Sequence, residues 1–199
     1  MNTTGAILAG GKSTRMKFHK AFAEIKGRLV IEIIIDKFSR YFEETIIISN
    51  EPHLFHQYGL PVYSDIYPYL GPVAGIHTAL ERAVFDPVYV LGCDMPFINM
   101  KMVDHMVGLI GDHDCVLTRM NSMLQPTAAA YSKQCLPIFQ RYLENERLKL
   151  TRIVEEEMDS LIIDEQDLKL FGPLHEQLFN VNDPQALEHA RSMAGRLLK

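Results

Sequence analysis

A short run near the start of the chain concentrates residue types that handle phosphate. Gly10–Gly11–Lys12–Ser13–Thr14–Arg15 follows the apolar stretch Thr4–Leu8, and Lys20 comes shortly after. Adjacent glycines let the backbone approach a ligand closely and aim consecutive N–H groups at it. Lys12, Arg15 and Lys20 add long cationic arms. Together they suit a nucleoside triphosphate. Gly11–Lys12–Ser13 imitates the end of a Walker A motif, but the position of that motif's first glycine holds Ala6. The dinucleotide fingerprint GxGxxG is absent. On residue types alone, a plain turn with packing glycines and solvated lysines fits equally well.

Two carboxylates follow other apolar runs. Asp94 lies in Gly92–Cys93–Asp94–Met95–Pro96, after Pro87–Leu91. Pro96 discourages an immediate helix, which leaves the carboxylate at the open edge of a sheet. Magnesium prefers one or two protein carboxylates plus phosphate and water oxygens, so Asp94 is the metal candidate; a helix cap is the alternative. Asp65 follows Val62–Tyr63 and suits ribose hydroxyls or a base. Asn50 follows Thr45–Ser49, and its amide can read a base edge. Both are also common turn residues. His53 and His56 form an HxxH pair with no third ligand at convincing spacing, so no zinc site is expected.

These residues need a scaffold that brings strand ends together. Thr4–Leu8, Thr45–Ser49 and Pro87–Leu91 read as buried strands, joined by Cys115–Arg119, Thr127–Tyr131 and Leu161–Ile163. Ala21–Lys26 reads as a short strand or hairpin arm. Helical periodicity runs over Leu29–Phe42, from Gly71–Pro72 onward, and over Met100–Ile110, Lys133–Leu143 and Leu150–Glu157. Asp183–Pro184 starts a last helix with Leu187, Ala190, Ala194 and Leu197 on one face. The alternation predicts an α/β fold: three layers around a mostly parallel, doubly wound, Rossmann-like sheet. Ligands of such sheets bind beyond the carboxyl ends of the strands, where the candidates fall.

Composition narrows the function. The 199 residues carry a net charge of −5, which argues against a whole-surface nucleic-acid binder. Residues 1–23 hold Lys12, Arg15, Lys17 and Lys20 and no acid, as expected for a small polyanionic ligand bound there. No apolar run spans a bilayer and no signal peptide is evident, so no membrane partner and a cytoplasmic location are expected. The three cysteines, Cys93, Cys115 and Cys135, have no metal or disulfide spacing and read as buried reduced thiols.

LAGGKSTRM with Lys20 resembles the N-terminal signature of pyrophosphorylase-type nucleotidyltransferases, and most of all the molybdenum cofactor guanylyltransferase family. Further matches come in order: Asp65; Gly71–Pro72–Val73–Ala74–Gly75, similar to GPLAG; Cys93–Asp94–Met95–Pro96, similar to CDxP; Gln125–Pro126–Thr127, similar to (H/Q)PT; and Asn180–Val181–Asn182–Asp183–Pro184, similar to NVNTP. The family usually continues Gly-x-Asp-Lys after Arg-Met; here the residues are Lys17–Phe18–His19–Lys20.

The resemblance spans nearly the whole chain and implies one nucleotidyltransferase domain. About residues 1–110 would bind nucleotide, and about 111–199 would complete the acceptor site. It implies GMP transfer from GTP to the phosphate of molybdopterin or molybdenum cofactor, with Mg2+ as cofactor. Lys12, Arg15, Lys20 and Asp94 would be catalytic. Leu8, Ala9, Gly10, Gly11, Lys20, Asn50, Asp65 and Asp94 would hold GTP. Arg15, Gly71, Gly75, Asn180 and Asn182 would face molybdopterin. Arg147, Lys149 and Arg152 form a second basic group, either for the pterin phosphate or as an exposed helix face. Related cytidylyltransferases tend to carry LAAG, so Gly10, which removes a Cβ where a purine would lie, favours GTP over CTP. Other proteins of cofactor biosynthesis, or chaperones of the target molybdoenzymes, would be partners. Two alternatives stand beside this one: a nucleotidyltransferase of the same fold using CTP or a sugar or alcohol phosphate, and a nucleotide-binding regulatory domain without catalysis.

Overall fold

The computed structural model describes residues 2–10 and 19–198. Strand β1 (Thr4–Leu8) comes first. After a 3-10 turn at Lys20–Phe22 the short hairpin β2 (Glu24–Ile25) and β3 (Arg28–Leu29) leads into α1 (Val30–Tyr41). Then follow β4 (Glu44–Ile48), β5 (Val62–Tyr63), α2 (Pro72–Arg82), β6 (Val88–Gly92) and α3 (Met100–Gly108). The remainder comprises β7 (Cys115–Met120), β8 (Met123–Leu124), β9 (Ala128–Tyr131), α4 (Leu136–Glu144), α5 (Leu150–Glu157), β10 (Ser160–Asp164), α6 (Leu174–Gln177) and α7 (Pro184–Leu197).

Local chemistry sets the boundaries. Pro72 and Pro184 open α2 and α7, where a missing N–H costs nothing. The Asp183 carboxylate accepts the Ala186 N–H and the Asn99 side chain accepts the Lys101 N–H, so both cap helices. The expected helix over 133–143 is a 3-10 turn at Lys133–Cys135 followed by α4 from Leu136, because Pro137 supplies no N–H to the first turn.

The strand order is β10-β7-β9-β6-β1-β4-β5, with β8 paired on β7. Pairing is parallel except that β9 runs against β6 and β7, and β8 against β7. Register decides where the site falls. Leu8 pairs with Ile48 on one side and Gly92 on the other, so β1, β4 and β6 end level.

Alternation along each strand feeds two cores, as a three-layer architecture requires. Ile7, Ile47 and Leu91 pack with Ile34 and Phe38 of α1, Met102 of α3 and Ala190 of α7. Ala6, Ile46 and Val90 face the other way, against Val73 and Ile76 of α2, Phe139 of α4 and Ile153 of α5. Each buried Val, Ile, Leu, Met or Phe side chain among them contributes about 1.5–3 kcal/mol on burial. Phe38 of α1 and Phe42 at its C-terminal end lie so close to β1 that a Cβ at Gly5 would stand 2.2 Å from Phe42 Cδ2. Cys93, Cys115 and Cys135 are free and buried. Among the described residues, no helix is long and apolar enough to cross a membrane.

Candidate active site

A crevice of about 840 Å³ opens beyond the level ends of β1, β4 and β6. Sheet hydrogen bonding continues past those ends and fixes its floor. The Ala9 N–H donates to the Ile48 carbonyl at 2.8 Å, and the Cys93 N–H to the Leu8 carbonyl at 3.0 Å. The Gly92 N–H donates to the Thr127 carbonyl at 2.9 Å, so the (H/Q)PT-like segment braces the strand that carries Asp94.

Asp94 stands at the tip of β6, and its side chain retains 19% exposure. Burial pushes its carboxyl pKa up, and the Lys20 charge opposes the shift. The Lys20 Nζ lies 3.6 Å from Asp94 Oδ2 and also donates to Asn182 Oδ1. The Val181 N–H donates to the Asp94 carbonyl at 2.9 Å. The first, fourth and last candidate segments therefore meet at one corner. Asn180 lines the same crevice, its amide donating to the Leu178 carbonyl at 3.0 Å. Gly92 makes room for this corner: a Cβ there would come within 2.9 Å of Asp94 Oδ1.

A second polar unit lines the wall formed by β4 and β5. Asn50 Nδ2 donates to Asp65 Oδ2 at 2.7 Å, and the Asp65 N–H returns a bond to Asn50 Oδ1 at 3.2 Å. Burial raises the Asp65 pKa, and the Asn50 amide opposes it. Asn50 is thus committed to Asp65 and presents the carboxylate, with one amide hydrogen left over. The Leu8 side chain and Asp65 both approach Gly75, whose added Cβ would lie 3.2 Å from Leu8 Cδ2 and 3.8 Å from Asp65 Oδ1. Gly71 caps α2 at φ 72°, a left-handed conformation that favours glycine. Gly10 lines the crevice, and a Cβ on it would meet nothing within 4 Å.

Leu8, Gly10, Lys20, Asn50, Asp65 and Asp94 all line this crevice. So do Gly71, Gly75 and Asn180, while Asn182 joins through Lys20 and Ala9 is buried beneath. Gly11, Lys12 and Arg15 lie outside the described residues. Arg147, Lys149 and Arg152 are not among the lining residues: Arg152 pairs with Glu156, and Arg147 borders a separate hollow of about 200 Å³. His53 and His56 sit on two separate 3-10 turns.

Sequence reasoning passed over several contributors. Tyr69 stands at the mouth, 79% exposed, with a left-handed φ of 65° that is uncommon outside glycine. Glu51 adds a third carboxylate to the lining. Lys37 of α1 donates to the carbonyls of Pro96 and Ile98 at 2.9 and 2.8 Å, steadying the loop beyond Asp94. Burial pulls its pKa down to about 8, Arg28 adds to the shift and Asp36 opposes it. A lysine on a helix reads as surface, so only the adjacent strap reveals its role.

Residues 5–161 match the model of the MobA-like NTP transferase domain. A probable molybdenum cofactor guanylyltransferase of Clostridium perfringens (strain SM101 / Type A) is 42% identical over 150 residues, 75% of each chain. The molybdenum cofactor guanylyltransferase of Desulfosudis oleivorans is 29% identical over 198 residues, 98% of each chain. In fold, the chain is similar to the molybdopterin-guanine dinucleotide biosynthesis protein A of Archaeoglobus fulgidus. That likeness has a TM-score of 0.86 and 23% identity, covering 97% of this chain and 99% of that one.

Proposed function

The chain belongs to the MobA-like NTP transferase family, and on that premise we propose that it transfers GMP from GTP to the phosphate of molybdopterin or its molybdenum-bound form, releasing pyrophosphate. One observation carries the reading. The crevice holds a carboxylate–amide pair at one wall and the Lys20–Asp94–Asn182 corner at another, within a single volume large enough for two substrates.

The acceptor phosphate is mostly a dianion at pH 7 and is already nucleophilic, so no general base is required. The protein's task is to align two polyanions and to stabilise charge on the departing pyrophosphate. Asp65, presented by Asn50, holds the nucleoside end. Gly10 leaves space for a purine. Lys20 stands between Asp94 and Asn182, where the triphosphate and the acceptor phosphate would meet. Asn180 and Asn182, with Gly71 and Gly75, line the acceptor path. Lys12 and Arg15 serve the phosphate tail.

Magnesium fits Asp94. The carboxylate is largely desolvated, and Lys20 only partly offsets that burial. No group of three or more acidic, histidine or cysteine ligands occurs among the described residues. That suits an ion held by one carboxylate with phosphate and water oxygens. Bound there, it would neutralise charge on the triphosphate as pyrophosphate leaves.

The test is a product assay with purified protein, magnesium, molybdopterin and each of GTP, CTP, ATP and UTP. The guanine dinucleotide and pyrophosphate should form with GTP. Turnover with CTP alone would replace guanine by cytosine in this reading. GTP binding without product would reduce it to a regulatory role.

A further inference from the structure

The link from Asp65 to α2 is pinned on both sides of Tyr69. The Ile66 N–H donates to Thr78 Oγ1 of α2 at 2.9 Å, and the Tyr67 ring meets the His77 ring edge-on at 5.3 Å. Tyr67 and Leu70 both pack onto the core under α2. Between them the chain turns at Pro68–Tyr69. Proline suits the second place of such a turn, and a left-handed third place ordinarily goes to glycine or asparagine. Here that place holds tyrosine, at φ 65°. A Cβ in this region is crowded by its own backbone, so folding alone is served better by glycine. The conformation has one evident product. It turns a large ring away from the core, 79% exposed, at the mouth of the crevice. Strained residues of this kind cluster at ligand clamps.

The ring's place in the crevice identifies what it meets. Asn50 and Asp65 line the wall at the ends of β4 and β5, and Tyr69 lies on the link that leaves Asp65. Asn182 reaches the crevice elsewhere, at the corner with Lys20 and Asp94. Of the two substrates in the proposed function, the nucleoside therefore stands on the side of Tyr69. We infer that Tyr69 is a stacking platform for the guanine of GTP, its ring covering one face of the base while Asp65 holds the nucleoside by polar contact. The inference rests on the crevice being a nucleotidyltransferase site. Every base has a π-face, so stacking supplies affinity for a nucleoside and leaves the choice of guanine to other groups.

Calorimetric titration of the full chain with Mg–GTP, and with Mg–tripolyphosphate, which has the phosphates and no ring, decides the matter. Tyr69→Gly should weaken Mg–GTP binding by about 5- to 150-fold, the range for losing one base–aromatic stack. Its affinity for Mg–tripolyphosphate should stay at the wild-type value. It should melt no lower than wild type, because glycine accepts the left-handed conformation freely. Tyr69→Phe keeps the ring and should hold Mg–GTP affinity within about twofold of wild type. Wild-type Mg–GTP affinity in Tyr69→Gly overturns the inference. So does an equal loss for tripolyphosphate, which would mean that the link itself had collapsed, or a loss in Tyr69→Phe as large as in Tyr69→Gly. If the wild type binds Mg–GTP and forms no guanine dinucleotide, the functional reading falls, and the titrations still decide whether the stack exists.

Discussion

Asn50 and Asp65 hold each other by two hydrogen bonds of opposite direction, side chain to side chain at 2.7 Å and backbone to side chain at 3.2 Å. The pair joins the ends of two adjacent parallel strands at one wall of the crevice, the wall proposed to hold the nucleoside. Asp65→Ala should weaken GTP binding by about 10- to 100-fold, since a hydrogen bond to a charged group is worth about 1.5–3 kcal/mol. Asn50→Ala should cost less, because it unseats the carboxylate without removing it. Calorimetric titration with Mg–GTP measures both; unchanged affinity in Asp65→Ala would exclude this wall from nucleoside binding.

Asp94→Asn should separate activity from stability. Magnesium-dependent pyrophosphate release should fall by at least about 100-fold, the scale of losing a principal electrostatic contributor. The ligand-free protein should melt no lower than wild type and slightly higher if anything. Burial raises the Asp94 pKa, so the folded state disfavours this charge at neutral pH, and an amide relieves that cost. A large drop in melting temperature would mean that Asp94 is structural.

Gly10→Ala should shift nucleotide choice rather than folding. The added methyl meets nothing within 4 Å and projects into the crevice. The ratio of GTP to CTP affinity should fall by about 10-fold, the order of a single methylene-sized contact in a pocket. Thermal shift with the two nucleotides reads the change; equal loss for both would leave base size out of the explanation.

Lys37 gives a pH-dependent stability. Its pKa in the folded protein lies near 8, below the ordinary 10.5, so between those values the unfolded chain binds more protons. The contribution of this group to stability therefore rises with pH across that window. Lys37→Met should strand the Pro96 and Ile98 carbonyls and cost about 1–3 kcal/mol near pH 7. The gap between wild type and variant should widen from pH 8 to 10 in chemical denaturation; a gap that narrows would contradict the assignment.

Gly5→Ala should destabilise by about 1–3 kcal/mol or more, because the new methyl overlaps Phe42 and Phe38 and those rings are buried. Urea midpoints check this directly, and a neutral substitution would mean that α1 shifts freely over the sheet.

The main strands were legible because continuous β-branched runs such as Thr45–Ser49 have few other uses in a chain of this composition. Helix starts were legible at Pro72 and Pro184, where proline and a capping residue act locally. β2 lies inside the expected strand or hairpin arm Ala21–Lys26, whereas β8 and the second hairpin strand β3 escaped notice, since two residues show no period. The antiparallel sense of β9 escaped for another reason. Ala128–Tyr131 reads the same in either direction, and only its partners choose. Motif order pointed to Asp65, Asp94 and Asn182 as site residues. It gave no sign that Asn50 serves Asp65, that Lys37 steadies the Asp94 loop, or that Val181 ties its backbone to Asp94. Those links join residues far apart in sequence through single hydrogen bonds, and pattern reading has no access to them.

The backward strand has a consequence for how the molecule is made. β9 fills the place between β6 and β7, and Thr127, the residue before it, receives the Gly92 amide just before Asp94. A nascent polypeptide that stops short of that point already contains β1, β4, β5 and β6, yet one flank of β6 still faces solvent. The Asp94 carbonyl then waits longer, for Val181 to emerge from the ribosome. The corner proposed to hold the metal therefore cannot close until residues 181 and 182 have been made, and a protein truncated before them lacks the contacts that complete it.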